Sequence, residues 1–221
     1  MTGRTRLKML PASAYVGVNR DDPIRFYSVP VFGALYRRRV EMCLEELRGG
    51  ERVLEVGFGS GVTFPSLKEL YREIHGLDLT ADVRRIETLF GGQGINVSLC
   101  QGSVLSMPYP DRMFDAVLLI SILEHLKPDE LSTALAEIAR VLKPGGQLVY
   151  GIPVDRPLMT MCFRCLGCAI HGQHFSTERE VHRAARERLQ EVRVSGMRGP
   201  LGLFGVLYEV GCFVKDQGGM A

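Results

Sequence analysis

The sequence has little that would tie it to a membrane, to secretion or to a polyanion. No stretch approaches the roughly 18 consecutive apolar residues that a membrane-spanning helix needs. The basic first 20 residues are not followed by an apolar run, which argues against a secretory signal. The formal net charge is only +2, so the chain as a whole is no strong polyanion binder. We expect a cytoplasmic protein without stable membrane insertion, for which peripheral contact with a membrane surface is still allowed.

Internal repeats and low-complexity tracts are also absent, and we expect no disulfide framework. Three of the six cysteines sit singly in apolar segments, where cysteine is typically a small buried hydrophobe; they are Cys43, Cys100 and Cys212. A second group recurs every three residues: Cys162, Cys165, Cys168, His171 and His174. On an α-helix a step of three drifts by about 60°, so this second group would wrap around the helix rather than converge. We therefore predict apolar packing there and no metal.

Short apolar runs alternate with segments of helical periodicity along most of the 221 residues. The predicted strands are 52–56, 73–78, 95–100, 114–120 and 147–152, with two further strand-like runs at 189–194 and 203–214. The predicted helices are 30–47, 62–71, 81–90 and 128–142, and a further helix starts at 176–180. This alternation implies parallel pairing, and near-continuous apolar strands imply helices on both faces. We predict an α/β fold with a doubly wound, mostly parallel, seven-stranded Rossmann-like sheet.

The most informative motif is a glycine loop, Glu55-Val-Gly57-Phe-Gly59-Ser-Gly61, between the first strand and a helix. Glycine lets the backbone turn tightly and approach a ligand closely, and the following helix start offers free N–H groups. A dinucleotide fold wants G-x-G-x-x-G, and Val62 takes the place of its third glycine, which disfavours a nicotinamide-dependent oxidoreductase. Asp78 ends the second strand, where a carboxylate can accept hydrogen bonds from a ribose diol.

E-x-G-x-G-x-G followed by an acid at the end of strand two resembles the class I S-adenosylmethionine-dependent methyltransferases of the small-molecule, type 11-like branch. Four further stretches are similar to that branch in order and spacing: 100–111, Phe114-Asp115-Ala-Val, Leu123-Glu-His-Leu126 and Leu142-Lys-Pro-Gly-Gly146. The resemblance covers roughly residues 50–153 and implies S-adenosyl-L-methionine as cofactor, with S-adenosyl-L-homocysteine as product.

The resemblance also implies a set of cofactor contacts. At the methionine end of the cofactor, Gly57, Gly59 and Gly61 would lie under the methionine part, Glu55 would hold its amino group and Ser121 would make a further contact. Asp78 would bind the ribose hydroxyls. Leu79 would lie on the adenine, and Ser103 and Val104 would flank the adenine edge. Many relatives have Asp where this chain has Ser103, so we expect a weaker or altered contact there.

Methyl transfer is an in-line displacement in which the protein mainly supplies orientation, although an alcohol or phenol acceptor also needs a base. The candidates are His125, His171, His174 and Glu124. The segments 25–27 and 36–39 mix arginine with aromatic side chains. They could form a substrate gate, a surface for anionic lipid, or a solvated helix with snorkelling arginines.

We predict one domain over residues 1–221, with a helical cover at 1–48, a cofactor-binding core at 50–153, a lid at 154–190 and C-terminal strands at 190–221. Its expected activity is methyl transfer to a small-molecule acceptor through an O, N or C atom. Nucleic acid is not an expected partner, because the loop after strand four lacks an Asn/Asp-Pro-Pro-aromatic motif and no basic stripe is present. The alternatives are a lipid or prenyl-like substrate at a membrane surface, favoured by the apolar 158–170 segment, and a non-catalytic cofactor-binding partner protein. The oligomeric state is left open.

Overall fold

The computed structural model describes residues 5–15, 24–27, 32–154, 174–198 and 205–217. These residues contain the helices α1 (Ile24–Tyr27), α2 (Phe32–Glu46), α3 (Phe64–Leu70), α4 (Val83–Gly91), α5 (Pro128–Val141) and α6 (Glu178–Arg186). They also contain the strands β1 (Gly50–Val56), β2 (Tyr71–Asp78), β3 (Val97–Gln101), β4 (Phe114–Ile120), β5 (Leu142–Pro153), β6 (Gln190–Arg198) and β7 (Val206–Val214). Short 3₁₀ turns cover Ala12–Tyr15 and Leu123–His125.

The strands form one sheet in the order β3-β2-β1-β4-β5-β7-β6. The first five pair in parallel, whereas β7 runs antiparallel to both β5 and β6. The predicted fold class, an α/β, doubly wound and mostly parallel sheet of seven strands, is therefore confirmed. The insertion of β7 between β5 and β6 is a feature that the strand pattern did not predict.

Two apolar cores, one on each face of the sheet, explain why the central strands are apolar at nearly every position. Successive strand side chains point to opposite faces. In β1, Val53 joins the core beneath α2, α3 and α4, and Leu54 joins the core beneath α5 and α6. In β4, Leu118 and Leu119 divide in the same way, and all four of these side chains are fully buried.

The helices begin and end close to where the sequence predicts. Pro128 occupies the first turn of α5, and the Glu130 carboxylate accepts a hydrogen bond from the Lys127 N–H at 2.9 Å. Thr177 caps α6 by accepting from the Glu180 N–H. Helix α3 ends one residue earlier than predicted, at Leu70, because Tyr71 is already the first residue of β2. The predicted lid histidine His171, the cysteines at 162, 165 and 168, and the apolar 158–170 segment lie outside the described residues.

The order of the strands reverses between β1 and β4. Strands β2 and β3 lie on one side of β1, and β4 lies on its other side. In doubly wound sheets the loops diverge at such a switch point and leave a crevice at the carboxyl ends of the strands, where ligands bind. The glycine loop follows β1 and Ser121 follows β4, so the fold brings these two motifs to opposite sides of that crevice. Within the described part of the chain, no helix combines the length and the apolar character needed to cross a bilayer.

Candidate active site

The glycine loop has a backbone that only glycine tolerates well. Gly57, Gly59 and Gly61 all have positive φ, at 72°, 54° and 71°. A Cβ on Gly57 would lie 2.1 Å from the Cδ1 of Ile122, which comes from the loop after β4. A Cβ on Gly61 would lie 2.6 Å from the Phe64 ring. The tight turn predicted from the three glycines is therefore present, and it packs directly against the other side of the crevice.

Asp78 ties this loop to the end of β2. Its side chain is nearly buried, and Oδ2 accepts a hydrogen bond from the Gly59 N–H at 2.9 Å. The other oxygen, Oδ1, accepts from the N–H groups of Thr80 and Ala81, each at 2.9 Å. A carboxylate offers about four acceptor sites, so about one is left for a ligand hydroxyl. The expected contact of Asp78 with a ribose stays a prediction. The structure shows that the same carboxylate also holds the glycine loop in place.

The residues predicted to surround adenine lie on two adjoining loops. Leu79, directly after Asp78, leaves 66% of its surface exposed, which is unusual for a large apolar side chain. The loop after β3 is held against it, because the Gln101 side-chain amide donates to the Leu79 carbonyl at 3.0 Å. On that loop Val104 is buried, and the Ser103 hydroxyl accepts from the backbone N–H two residues further on. The exposed side chain of Leu79 thus forms an apolar surface beside the polar loop that follows β3.

Glu55 supplies a buried negative charge beside the glycine loop. It lies near the end of β1 and is only 4% exposed. Its carboxylate accepts a hydrogen bond from the hydroxyl of Thr63, the buried residue before α3. A carboxylate that is shielded from water binds a cation strongly, as the predicted contact with an ammonium group requires.

Ser121 marks the opposite side of the crevice with an unusual backbone. Its φ of 58° is rare for a residue with a side chain and costs about 1–3 kcal/mol. Its N–H donates to the Gly151 carbonyl at 2.8 Å, and its hydroxyl lies 3.1 Å from the hydroxyl of Tyr208 on β7. Burial raises the pKa of Tyr208 well above its usual range, so this hydroxyl keeps its proton. Strain of this kind clusters at functional sites.

Arg39 is a component of the site that the sequence did not single out. Its Nη1 donates to the Ser121 hydroxyl at 3.4 Å, and its guanidinium lies 4.2 Å from the centre of the Tyr36 ring. Its Nε atom is buried and has no hydrogen-bond partner among the described residues. In the same part of the chain, the Arg39 guanidinium forms no ion pair with an acidic side chain, unlike that of Arg38. The interpretation of this segment as solvated, snorkelling arginines is wrong for Arg39, because three consecutive arginines diverge around α2 and one of them points inward.

The buried thiol of Cys43 is influenced by both of these charged groups. Burial raises the pKa of its thiol, the charge of Arg39 lowers it and the charge of Glu55 raises it further. Both charged groups therefore act on the same buried sulfur. The crevice combines a cation on the α2 side with an anion at the end of β1.

Two of the three predicted catalytic histidines come together. His125 ends the 3₁₀ turn after β4, and the centre of its ring lies 5.4 Å from that of His174. Glu124 is buried beside them, and one possible metal-ligand atom from each of the three residues lies within 4.8 Å of the others. The third candidate, His171, lies outside the described residues.

The site and the fold define a class of protein that comparison with known families bears out. Residues 54–150 match the family model described as "Methyltransferase domain". The similarity of this segment is to a methyltransferase family, as its motifs predicted.

Among characterised proteins, the chain is 39% identical over 107 residues to a fatty-acid O-methyltransferase of Mycolicibacterium smegmatis, a match that covers 46% of this chain and 36% of that protein. It is 32% identical over 114 residues to a demethylmenaquinone methyltransferase of Tropheryma whipplei, covering 51% and 46% respectively. The chain thus spans less than half the length of both relatives.

Two solved structures share the fold over nearly the whole chain. The N-methyltransferase NodS from Bradyrhizobium japonicum, in complex with S-adenosyl-l-homocysteine, is 20% identical with a TM-score of 0.67, covering 92% of this chain and 96% of NodS. The [4+2]-cyclase SpnF is 19% identical with a TM-score of 0.68, covering 94% and 91%. At such low identity these likenesses concern the fold alone.

Proposed function

We propose that the protein transfers a methyl group from S-adenosyl-L-methionine to a small-molecule acceptor. The observation that carries this proposal is the combination of a positive-φ glycine loop, the buried carboxyl group of Glu55 and the half-buried guanidinium of Arg39. The methionine end of the cofactor carries an ammonium and a carboxylate, so each charge would meet its opposite. The contact of Glu55 with the ammonium group was predicted from a sequence motif, whereas the contact of Arg39 with the carboxylate is inferred from the structure.

The described residues fit the rest of the cofactor as well. Gly57 and Gly61 leave the loop without side chains, Asp78 has acceptor capacity for a ribose hydroxyl, and Leu79 offers an exposed apolar face for adenine. Ser103 and Val104 would flank the adenine edge, and Ser121 the methionine end. When bound, the cofactor supplies an activated methyl group on a sulfonium. The chain's own contribution is to orient both reactants and to exclude water from between them.

An acceptor with a hydroxyl group would also need to lose a proton. His125 and His174 are the groups best placed to take it, because they lie past Ser121 at the end of β4, and His171 is the third candidate. A lipid-like acceptor is a second possibility, favoured by the names of the two relatives, a fatty-acid and a demethylmenaquinone methyltransferase.

The decisive experiment has two stages. Calorimetry with S-adenosylhomocysteine and with NAD tests cofactor choice, and binding of NAD alone would rule the proposal out. Transfer of labelled methyl from S-adenosylmethionine is then screened over carboxylic acids, phenols, quinols and amines, each with and without anionic vesicles. Turnover that requires vesicles selects the lipid-like acceptor. Tight binding without turnover on any acceptor would favour a non-catalytic cofactor-binding partner.

Arg39→Gln tests the carboxylate contact, with Arg38→Gln as the matched control. Arg38 lies on the same helix but forms an ion pair with Glu45 at 2.7 Å. Loss of a charge-assisted hydrogen bond costs about 1.5–3 kcal/mol, so we expect Arg39→Gln to raise the Kd for S-adenosylhomocysteine by roughly 10- to 150-fold. Arg38→Gln should leave it unchanged. Equal affinities in the two variants would remove Arg39 from the site.

A further inference from the structure

Glu124, His125 and His174 form a carboxylate–imidazole group just beyond β4, which we call the triad. Glu124 and His125 are adjacent in the 3₁₀ turn Leu123–His125, and His174 lies shortly before α6. Glu124 is 1% exposed, His174 is half-buried and His125 faces solvent. The two imidazole rings are inclined at 65°, so they are not stacked flat on each other.

Backbone hydrogen bonds hold the two halves of the triad together. The N–H groups of Phe175 and Ser176 donate to the carbonyl of Glu124 at 2.8 and 3.2 Å. The hydroxyl of the buried Ser176 donates to the Leu126 carbonyl at 2.6 Å. His174 therefore reaches the turn because the main chain on its carboxyl side is fastened there. Such second-layer contacts orient the ligands of a metal site in advance.

We propose that Glu124, His125 and His174 bind a divalent first-row transition ion such as Zn²⁺. Two histidines and one glutamate are the ligand set of catalytic zinc sites, which keep a further position open for water or substrate. Zinc lies about 2.0–2.2 Å from such ligands in a tetrahedral arrangement, so two of them on one ion are about 3.4 Å apart. The triad atoms all lie within 4.8 Å of one another, so side-chain rotations that bring them closer would complete that arrangement.

The triad adjoins the crevice, which suggests what the ion would do. Glu124 and His125 lie three and four residues after Ser121, in the turn that follows β4. The Ser121 hydroxyl itself lies 3.1 Å from that of Tyr208. The role in catalysis rests on the proposed function, whereas the binding of metal does not.

In that role the open position would take the hydroxyl oxygen of an alcohol or phenol acceptor. His125 and His174, occupied as ligands, would then not act as bases; the bound hydroxyl would lose its proton to water, and its oxygen would form a bond to the methyl carbon. The carbon–sulfur bond would break with its electron pair going to sulfur, which leaves a neutral thioether and a methyl ether. A hydroxyl acceptor is thus the substrate class that this site fits.

The test uses the full chain after treatment with a chelator. Zn²⁺ is titrated by calorimetry, and Co²⁺ is followed by its visible absorption. Wild type should bind one equivalent. His125→Ala, His174→Ala and Glu124→Gln should each weaken binding by at least about 100-fold. His75→Gln is the histidine control, because His75 lies on β2 against Tyr109 and Phe114. Glu69→Gln, which removes an exposed partner of Lys8, is the acid control.

Each outcome decides the question. Absence of saturable binding by wild type, or full affinity in the three triad variants, overturns the proposal. So does a Co²⁺ spectrum with a strong thiolate charge-transfer band that is lost in the triple variant Cys162→Ser, Cys165→Ser, Cys168→Ser, because the cysteines would then be the ligands. Thermal melts show that the variants are folded. Binding of S-adenosylhomocysteine without metal, measured on the same samples, keeps this result separate from the test of the proposed function.

Discussion

Replacing Asp78 by asparagine would test a side chain that accepts three backbone hydrogen bonds at the edge of the crevice. The substitution keeps the size of the side chain but removes its charge. In the native protein the carboxylate accepts three backbone N–H bonds, from Gly59, Thr80 and Ala81. Hydrogen bonds to a charged group are worth about 1.5–3 kcal/mol, against about 0.5–1.5 kcal/mol for neutral pairs. A loss of about 1 kcal/mol per bond predicts a fall of roughly 3 kcal/mol in the free energy of unfolding.

Cofactor binding should weaken for a separate reason. If Asp78 also accepts a bond from a ribose hydroxyl, losing its charge should cost about 1–3 kcal/mol of binding free energy, which is a roughly 5- to 150-fold rise in Kd. Asp78→Ala, which removes the acceptor altogether, should lie at or beyond the upper end. Calorimetry with S-adenosylhomocysteine gives the Kd, and urea unfolding without ligand gives the stability.

Asp82→Asn is the matched control. Asp82 lies four residues further on, is exposed, and caps α4 by accepting from the Arg85 N–H at 3.2 Å. Its replacement should cost about 1 kcal/mol of stability at most and leave the Kd unchanged. Unaltered affinity in folded Asp78→Asn would refute the ribose assignment, and an unaltered free energy of unfolding would refute its role in fixing the loop.

Three further predictions concern backbone strain and charge. Gly57→Ala should destabilise more than Gly94→Ala in urea unfolding, because both positions have positive φ but only a Cβ at Gly57 meets another atom within 4 Å; equal costs would contradict the close packing. At position 121, Ser121→Gly should be more stable than Ser121→Ala by about 1–2 kcal/mol, since alanine keeps the left-handed strain. Burial tends to raise the pKa of Asp115, but the Lys143 ammonium and backbone N–H groups lower it overall. Its contribution to stability should be complete above about pH 4 and lost as the pH falls below that. Acid titration should show a shallower loss for Asp115→Asn, and identical acid curves would argue against this.

The conformation of the glycine loop and the position of Asp78 were largely predictable because these residues lie in short, local motifs. A strand, a glycine turn and a helix follow one another within 50–70, and the positive φ values of Gly57, Gly59 and Gly61 follow from their residue type. Asp78 was predictable for the same reason, since it ends a strand parallel to β1. What the motif did not reveal is that its carboxylate is mostly engaged by backbone N–H groups.

The side of the crevice after β4 was harder to predict because it is assembled from distant segments. Nothing in the sequence distinguishes Arg39 from the two arginines before it, and only the packing of α2 against the sheet turns it towards Ser121. Tyr208 reaches the same place because β7 lies next to β5. The described fold resembles those of both a methyltransferase and a cyclase, so the fold alone does not specify the chemistry.

The sequence by itself determined the alternation of strands and helices, the two-sided burial of the sheet and the glycine loop. Each of these depends on periodicity or on backbone conformation within a few residues. Only the tertiary structure decided the place of β7, the inward turn of Arg39 and the meeting of His174 with Glu124 and His125. These features depend on contacts between residues far apart in the chain. Such contacts exist only when the whole sheet has formed, and packing and burial determine their energy.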